Sequence, residues 1–219
     1  SLIYLSAGVS LFFTAPIDAL YAASEINEWA WAACDADLNG AERPDYDATL
    51  AAIKASLAEE ANPALLELEA AAAEHDCTFL WDDAEASIGL GKHAKTWPGR
   101  DLPDPEQLDW SKHGDVPIGL VTGTNGKTTT VRLATHIMRT AEMNVGLSST
   151  DWIAVNDEII DRGDWSGPGG ARAVLRQNNV DVAILESARG GLLRRGLGVN
   201  VADVALITNI AEDHLGDFG

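Results

Sequence analysis

Apolar positions recur at helical spacing through the first third of the chain and give way to short apolar runs after Val116. Residues 16–34 read as a helix. Pro16 suits a first turn, Asp18 favours a helix N-terminus, and Ile17, Leu20 and Tyr21 share one face, although the stripe breaks at Ser24 and Glu28. Helices are predicted over 47–60, through Leu50, Ile53 and Leu57, and over 63–75, with Asn62 as N-cap and Pro63 in the first turn. Thr78–Trp81 reads as a short strand. The stretch from Trp97 to Trp110 carries too many prolines for regular structure and reads as a linker.

From Val116 the pattern alternates. Strands are predicted at 116–121, 143–147, 182–185 and 204–207, with helices at 128–140 and from the glycines at 167–170 to about Gln177. Two extended runs around Asn156-Asp157, within 152–160, look like a hairpin. Such alternation implies an α/β fold with a parallel sheet and helices on both faces, preceded by a smaller, mainly helical α/β domain. Ligands of parallel sheets sit at the carboxyl ends of the strands.

Charge sharpens the division. The formal net charge is −19, and residues 1–115 hold 22 of the 34 acids but only 6 of the 15 bases. A boundary near residue 113 follows. It separates an acidic domain and linker, 1–113, from a second domain, 114–219. So acidic a surface argues against nucleic acid as a partner. The opening 20 residues are apolar but lack a positive lead and are broken by Ser, Gly, Thr and Pro. They read as a buried strand, a turn and a helix start, not a signal peptide. No stretch approaches the roughly 20 apolar residues of a membrane span. Cys34 and Cys77 stand far apart, which fits a reducing cytoplasm. The chain begins at Ser1 without an initiator Met, so it is expected to continue upstream.

The sharpest motif is Gly123-Thr124-Asn125-Gly126-Lys127-Thr128-Thr129, between a strand and a helix. Glycines let backbone N–H groups turn toward phosphate oxygens, and the helix N-terminus adds partial positive charge. Lys127 would reach the β/γ-phosphates and the Thr128 hydroxyl a Mg²⁺ ion. The general P-loop pattern wants Gly where this chain has Val121. Glu186 ends an apolar strand and would point into the same crevice as a metal ligand. Asn209 and His214 lie in Thr208-Asn209-Ile210-Ala211-Glu212-Asp213-His214, past another apolar strand. A lone His is more often structural, but His214 falls at the sheet edge shared by Lys127 and Glu186. Arg189, Arg194 and Arg195 form a basic cluster suited to an anionic substrate or simply to solvent.

Thr122–Thr129 resembles the TGTNGKTT loop of the Mur ligases and folylpolyglutamate synthases, which also lacks the first glycine of the general P-loop. The segments SSTDWIAVNDEIIDRGDWSGPGGAR, AILESARGGLLRRGLG and ADVALITNIAEDHLGDFG are similar to those of the cyanophycin-synthetase-like branch of this family. The similarity covers about 116–219.

The resemblance implies a P-loop NTPase-like ATP-binding domain of a ligase that phosphorylates a carboxylate and lets an amine attack the acyl phosphate. ATP and Mg²⁺ are the implied cofactors. The implied partners are an acidic or peptide-like acceptor and an amino acid, with a homo-oligomer compatible.

Carried over by position, Lys127, Glu186 and His214 are catalytic. Gly123, Thr124, Asn125, Gly126, Lys127, Thr128, Thr129 and Asn209 hold nucleotide. Thr128, Glu186 and His214 hold metal, and Ser149, Thr150, Asp151, Ser166 and Arg189 meet substrate. Trp165-Ser166 stand where relatives usually show a Thr pair. The family completes its site with a lysine past the His and a C-terminal domain, so these are expected beyond Gly219, and the chain by itself is expected to form no amide. Alternatives are a folylpolyglutamate-synthase-like ligase and a P-loop nucleotide-binding module without ligase activity. A GTPase switch, suggested by Asp213-His214-Leu215-Gly216, lacks an Asn-Lys-x-Asp motif.

Overall fold

The computed structural model describes residues 2–5, 8–11 and 13–212, with side chains over 13–192 and 195–212. The chain opens on an antiparallel hairpin of β1 (Leu2–Leu5) and β2 (Gly8–Leu11), where the sequence predicted a single strand and a turn. Three helices follow: α1 (Leu20–Asn39), α2 (Tyr46–Glu60) and α3 (Pro63–Glu74). α1 runs past the predicted end at residue 34, through Asp35 to Asn39. It stops at Gly40, which takes the left-handed cap conformation with φ 66° and donates its N–H to the Ala36 carbonyl. Asp45 caps α2 by accepting from the Ala48 N–H at 2.7 Å, and Asn62 caps α3 by accepting from Leu65 at 3.2 Å. The Glu60 carboxylate accepts the N–H groups of Tyr21 and Ala22, joining the end of α2 to the start of α1.

The described residues divide into two compact units, one ending at Ala70 and the other beginning at Ala71. The second unit opens with an antiparallel sheet of β3 (Phe79–Trp81), β4 (Glu85–Ile88) and β5 (Lys95–Pro98). The expected linker is thus partly regular, with β5 followed by single 3₁₀ turns at Pro105–Gln107 and Trp110–Lys112. Pro98 is tolerated because it ends an edge strand. Burial pushes the Cys77 thiol pKa up, with Asp115 and Asp76 adding to the shift.

The large sheet contains β6 (Ile118–Thr122), β7 (Val145–Ser148), β8 (Trp152–Val155), β9 (Glu158–Arg162), β10 (Val182–Glu186) and β11 (Val204–Ile207), in the order β11-β6-β10-β7-β8-β9. The first four in that order pair in parallel, whereas β8 pairs antiparallel with both β7 and β9. The sheet is therefore mixed, not parallel throughout as expected. The links after β7 and β8 are too short for a crossover, so the chain can only turn back. Asn156 takes φ 54° in the β8–β9 turn. The register shifts between Ile153 and Ala154, which pair with Asp161 and Ile159 and leave Ile160 as a bulge.

Helices cover both faces. α4 (Lys127–Thr140) places Val131 against Val121, Val145, Leu147, Val182 and Ile184. α5 (Pro168–Leu175) places Ala171, Val174 and Leu175 against Ile118, Ile153, Val155, Ala183 and Leu185, with Leu80 and Leu90 joining this second core. Successive residues of β10 alternate between the cores, as the two-residue period of a strand requires. Gly146 lets α5 approach closely, since a Cβ there would lie 2.4 Å from Val174 Cγ1. A further short helix, α6 (Arg189–Arg195), contains the basic cluster. Among the described residues, no helix is long and apolar enough to cross a membrane.

Candidate functional site

β6 and β10 are neighbours and parallel, so their carboxyl ends open on the same side. From β6 the chain enters the glycine loop, with Gly123 at φ 134° and Gly126, the cap of α4, at φ 83°. No side chain caps α4, which leaves its first N–H groups available to an anion. The Lys127 ammonium folds back over the loop and donates to the carbonyls of Gly123 at 2.9 Å and Thr124 at 3.0 Å.

The segment after β11 braces the loop. Thr124 N–H donates to the Asn209 carbonyl at 3.0 Å, and the Thr208 hydroxyl donates to the Asn125 carbonyl at 2.6 Å. Ala211 N–H reaches the Thr124 hydroxyl at 3.0 Å. Gly123 is required there, because a Cβ would lie 2.2 Å from Thr208 Oγ1. The bracing by Thr208 was not foreseen, and its only sequence signal is a polar residue directly after an apolar strand.

Glu186 ends β10 and is 2% exposed. One carboxylate oxygen, Oε2, accepts from the Thr150 N–H at 3.4 Å, while the other, Oε1, has no hydrogen-bond partner. A buried carboxylate oxygen left so is costly unless something else meets it. The Thr150 hydroxyl lies 3.2 Å from that of Thr128. Thr128, Thr150 and Glu186 are thus brought together from α4, the β7–β8 turn and β10. An orphaned acid oxygen beside two hydroxyls suits a hard divalent cation. His214 lies outside the described residues. Among those residues no three His, Cys, Asp or Glu side chains form a metal cage.

The substrate-side candidates border this centre. The buried Ser149 hydroxyl donates to the Trp152 carbonyl at 3.0 Å and receives the Asp151 N–H at 3.3 Å, so it shapes the turn bearing Thr150. Ser166 is buried, its hydroxyl donates to Asp164 at 2.6 Å, and its carbonyl accepts from Ala188 N–H at 2.9 Å. Arg189 is exposed at the start of α6. The groups missed by sequence reading are Arg132, which pairs with Asp151 at 2.6 Å, and the Trp152 ring beneath it.

Taken together, the strand, glycine loop and helix, with a buried acid on the neighbouring parallel strand, define an α/β domain equipped to bind an anion and a cation side by side. Residues 121–219 match the Mur ligase middle domain. The chain is similar to the cyanophycin synthetases of Synechocystis sp. and Geminocystis herdmanii, 52% identical to each over 101 residues, which is 46% of this chain and 12% of each relative. The chain therefore spans a small part of the length of these relatives. The UDP-N-acetylmuramoyl-L-alanyl-D-glutamate--2,6-diaminopimelate ligase of Streptomyces coelicolor is 30% identical over 153 residues, 67% of this chain and 27% of that one. A solved structure of a ligase of that same name aligns over 46% of this chain and 21% of its own, with TM-score 0.39 and 23% identity.

Proposed function

We propose that this chain carries the ATP-binding part of a ligase that forms an amide bond through an acyl phosphate. The observation that carries the reading is Glu186, buried with one oxygen unpartnered, beside the hydroxyls of Thr128 and Thr150 at the mouth of the glycine loop. In this reading the loop N–H groups and Lys127 hold the ATP phosphates, the ammonium exchanging the Gly123 and Thr124 carbonyls for phosphate oxygens. A Mg²⁺ ion held by Glu186, the Thr128 hydroxyl and His214 supplies charge neutralisation when bound.

An oxygen of the acceptor carboxylate attacks the γ-phosphorus, the bond to the β,γ-bridging oxygen breaks, and ADP leaves. The amine nitrogen of an amino acid then attacks the acyl carbon. Phosphate departs with the C–O electron pair, and the nitrogen releases its extra proton to solvent. No protein nucleophile is needed, since positioning and charge neutralisation supply most of the catalysis. The names of the relatives support the reading: one set are synthetases, and the other joins diaminopimelate to an acceptor ending in glutamate. The turn at 149–151, Ser166 and Arg189 are the groups assigned to the acceptor and the incoming amino acid.

The test is release of ADP and formation of amide by the intact protein, measured against a panel of amino acids and acidic peptides. ADP release that requires both an acceptor and an amino acid supports a ligase. Hydrolysis indifferent to both, or none, overturns it.

A further inference from the structure

Trp152 opens β8 and pairs directly with Arg162, which closes β9, so the two side chains share one face of the sheet. Two guanidinium groups lie over the indole, that of Arg132 at 4.3 Å from the ring centroid and that of Arg162 at 5.7 Å. Arg132 stands one helical turn after Thr128 on α4, and its charge is met by Asp151. Arg162 differs. Among the described residues no carboxylate pairs with its guanidinium, although the chain carries a net charge of −19. The adjacent acid, Asp161, pairs with Ile153, on the opposite face from Trp152, and its Oδ1 accepts the backbone N–H of Arg162.

This exposed cation is joined to the candidate centre by a short run of chain. Thr150 touches both Thr128 and Glu186, Asp151 holds Arg132, and Trp152 carries Arg162. Three strand spacings separate β9 from β10, or about 14 Å at the usual interval. A group held by Arg162 is therefore remote from a phosphoryl group at Glu186. It belongs to another part of an extended molecule.

We propose that Arg162, steadied on the Trp152 ring beside Arg132, is a positioning residue that takes a second carboxylate of the acidic, peptide-like acceptor. The proposal rests on the acyl-phosphate ligase reading. A peptide advances about 3.3 Å per residue, so two or three residues carry the backbone roughly 7–10 Å and the acidic side chains at its two ends make up the rest of the gap, whereas a lone dicarboxylic amino acid falls short. The guanidinium fork matches a carboxylate with two parallel hydrogen bonds, and the aromatic platform restricts the side chain beforehand. Beyond Trp152 a groove of about 220 Å³ continues between α4 and the β8–β9 hairpin, lined in part by His136 and by Arg139, whose charge is met by Asp157.

The experiment compares wild type with Arg162→Ala and Arg162→Lys in the intact protein. Two acidic tripeptide acceptors are used, identical except that the carboxylate far from the activated one is free or amidated. Arg162→Ala is expected to raise KM for the free peptide about tenfold, with kcat and the KM for ATP within about twofold, and to leave KM for the amidated peptide unchanged. Arg162→Lys recovers part of the loss. Equal changes for the two peptides, or none, overturn the proposal.

Calorimetric titration of the free tripeptide decides the matter apart from turnover. Wild type is expected to bind about tenfold more tightly than Arg162→Ala, and equal affinity or no binding to wild type overturns the proposal. Failure of wild type to release ADP with any acceptor counts against the ligase reading, while the titration still judges Arg162.

Discussion

Asn125 and Asn209 hold each other at both ends. The Asn125 N–H donates to Asn209 Oδ1 at 3.0 Å, and Asn209 Nδ2 donates to the Asn125 carbonyl at 3.0 Å. The side chain of a residue just past β11 therefore acts as a backbone partner for the glycine loop after β6.

Replacing Asn209 with Ala removes both bonds and frees the loop to sample other shapes. At about 1 kcal/mol per bond, ATP affinity is expected to fall roughly fivefold to thirtyfold, through loss of preorganisation. Titration calorimetry with a non-hydrolysable ATP analogue measures it, and unchanged affinity shows the brace to be dispensable.

Lys127→Ala is expected to weaken binding of the same analogue more, by about 1.5–3 kcal/mol or roughly tenfold to a hundredfold, because a charge-assisted contact to phosphate is lost. If affinity survives, the loop is not the nucleotide site.

Glu186→Gln keeps the shape of the side chain and removes its charge. Weaker Mg²⁺ dependence and a large loss of turnover are expected, with a modest change in nucleotide affinity. A metal titration of ADP release in the intact protein checks this, and wild-type behaviour would leave Glu186 a structural acid.

Gly123→Ala tests the fit of the loop against β11. With φ at 134° and Thr208 Oγ1 at 2.2 Å from the added carbon, a cost of about 1–3 kcal/mol is expected. It is read as a lowered thermal unfolding midpoint. A fully stable variant would mean that the loop has a second resting shape.

Asp82 ties the small sheet to α5, accepting from Arg176 at 2.5 Å. Burial pushes its carboxyl up, but Arg176 and the N–H groups of Ala84 and Glu85 outweigh burial and hold it below the usual carboxylate range. Its folded pKa is therefore depressed. The stability it contributes is full above the unfolded value near 4 and is lost as pH falls through the lower folded value. Arg176→Ala is expected to cost about 1–3 kcal/mol at neutral pH and to flatten the stability profile below pH 4. Urea unfolding at several pH values resolves both effects.

Features written in neighbouring residues were legible in the sequence. Asn62-Pro63 announced α3, the apolar run Val204–Ile207 coincides with β11, and glycine, lysine and threonine spacing announced the loop at 123–129. β4 and β5 were missed because Glu85–Ile88 and Lys95–Pro98 have no clear alternation and owe their extended form to pairing with each other and β3. α6 was hidden by its glycines, one of which, Gly191, lies near the Ser166 carbonyl, where an added Cβ would come within 3.4 Å. At the candidate site, the meeting of Thr208 with Asn125 and of Trp152 with Arg162 depends on strand order and register. Composition and spacing do not encode these.

The bulge at Ile160 decides the sign of the charge beside Trp152. Were the hairpin to pair without it, counting on from Ala154 and Ile159 would set Ile160 opposite Ile153 and bring the Asp161 carboxylate, in place of the Arg162 guanidinium, alongside the indole. One irregular backbone step thus selects between an anionic and a cationic threshold from the same sequence. Under the role proposed for Arg162, changes in the length of β9 alone, without any substitution at the glycine loop, would reverse the charge an acceptor must carry there.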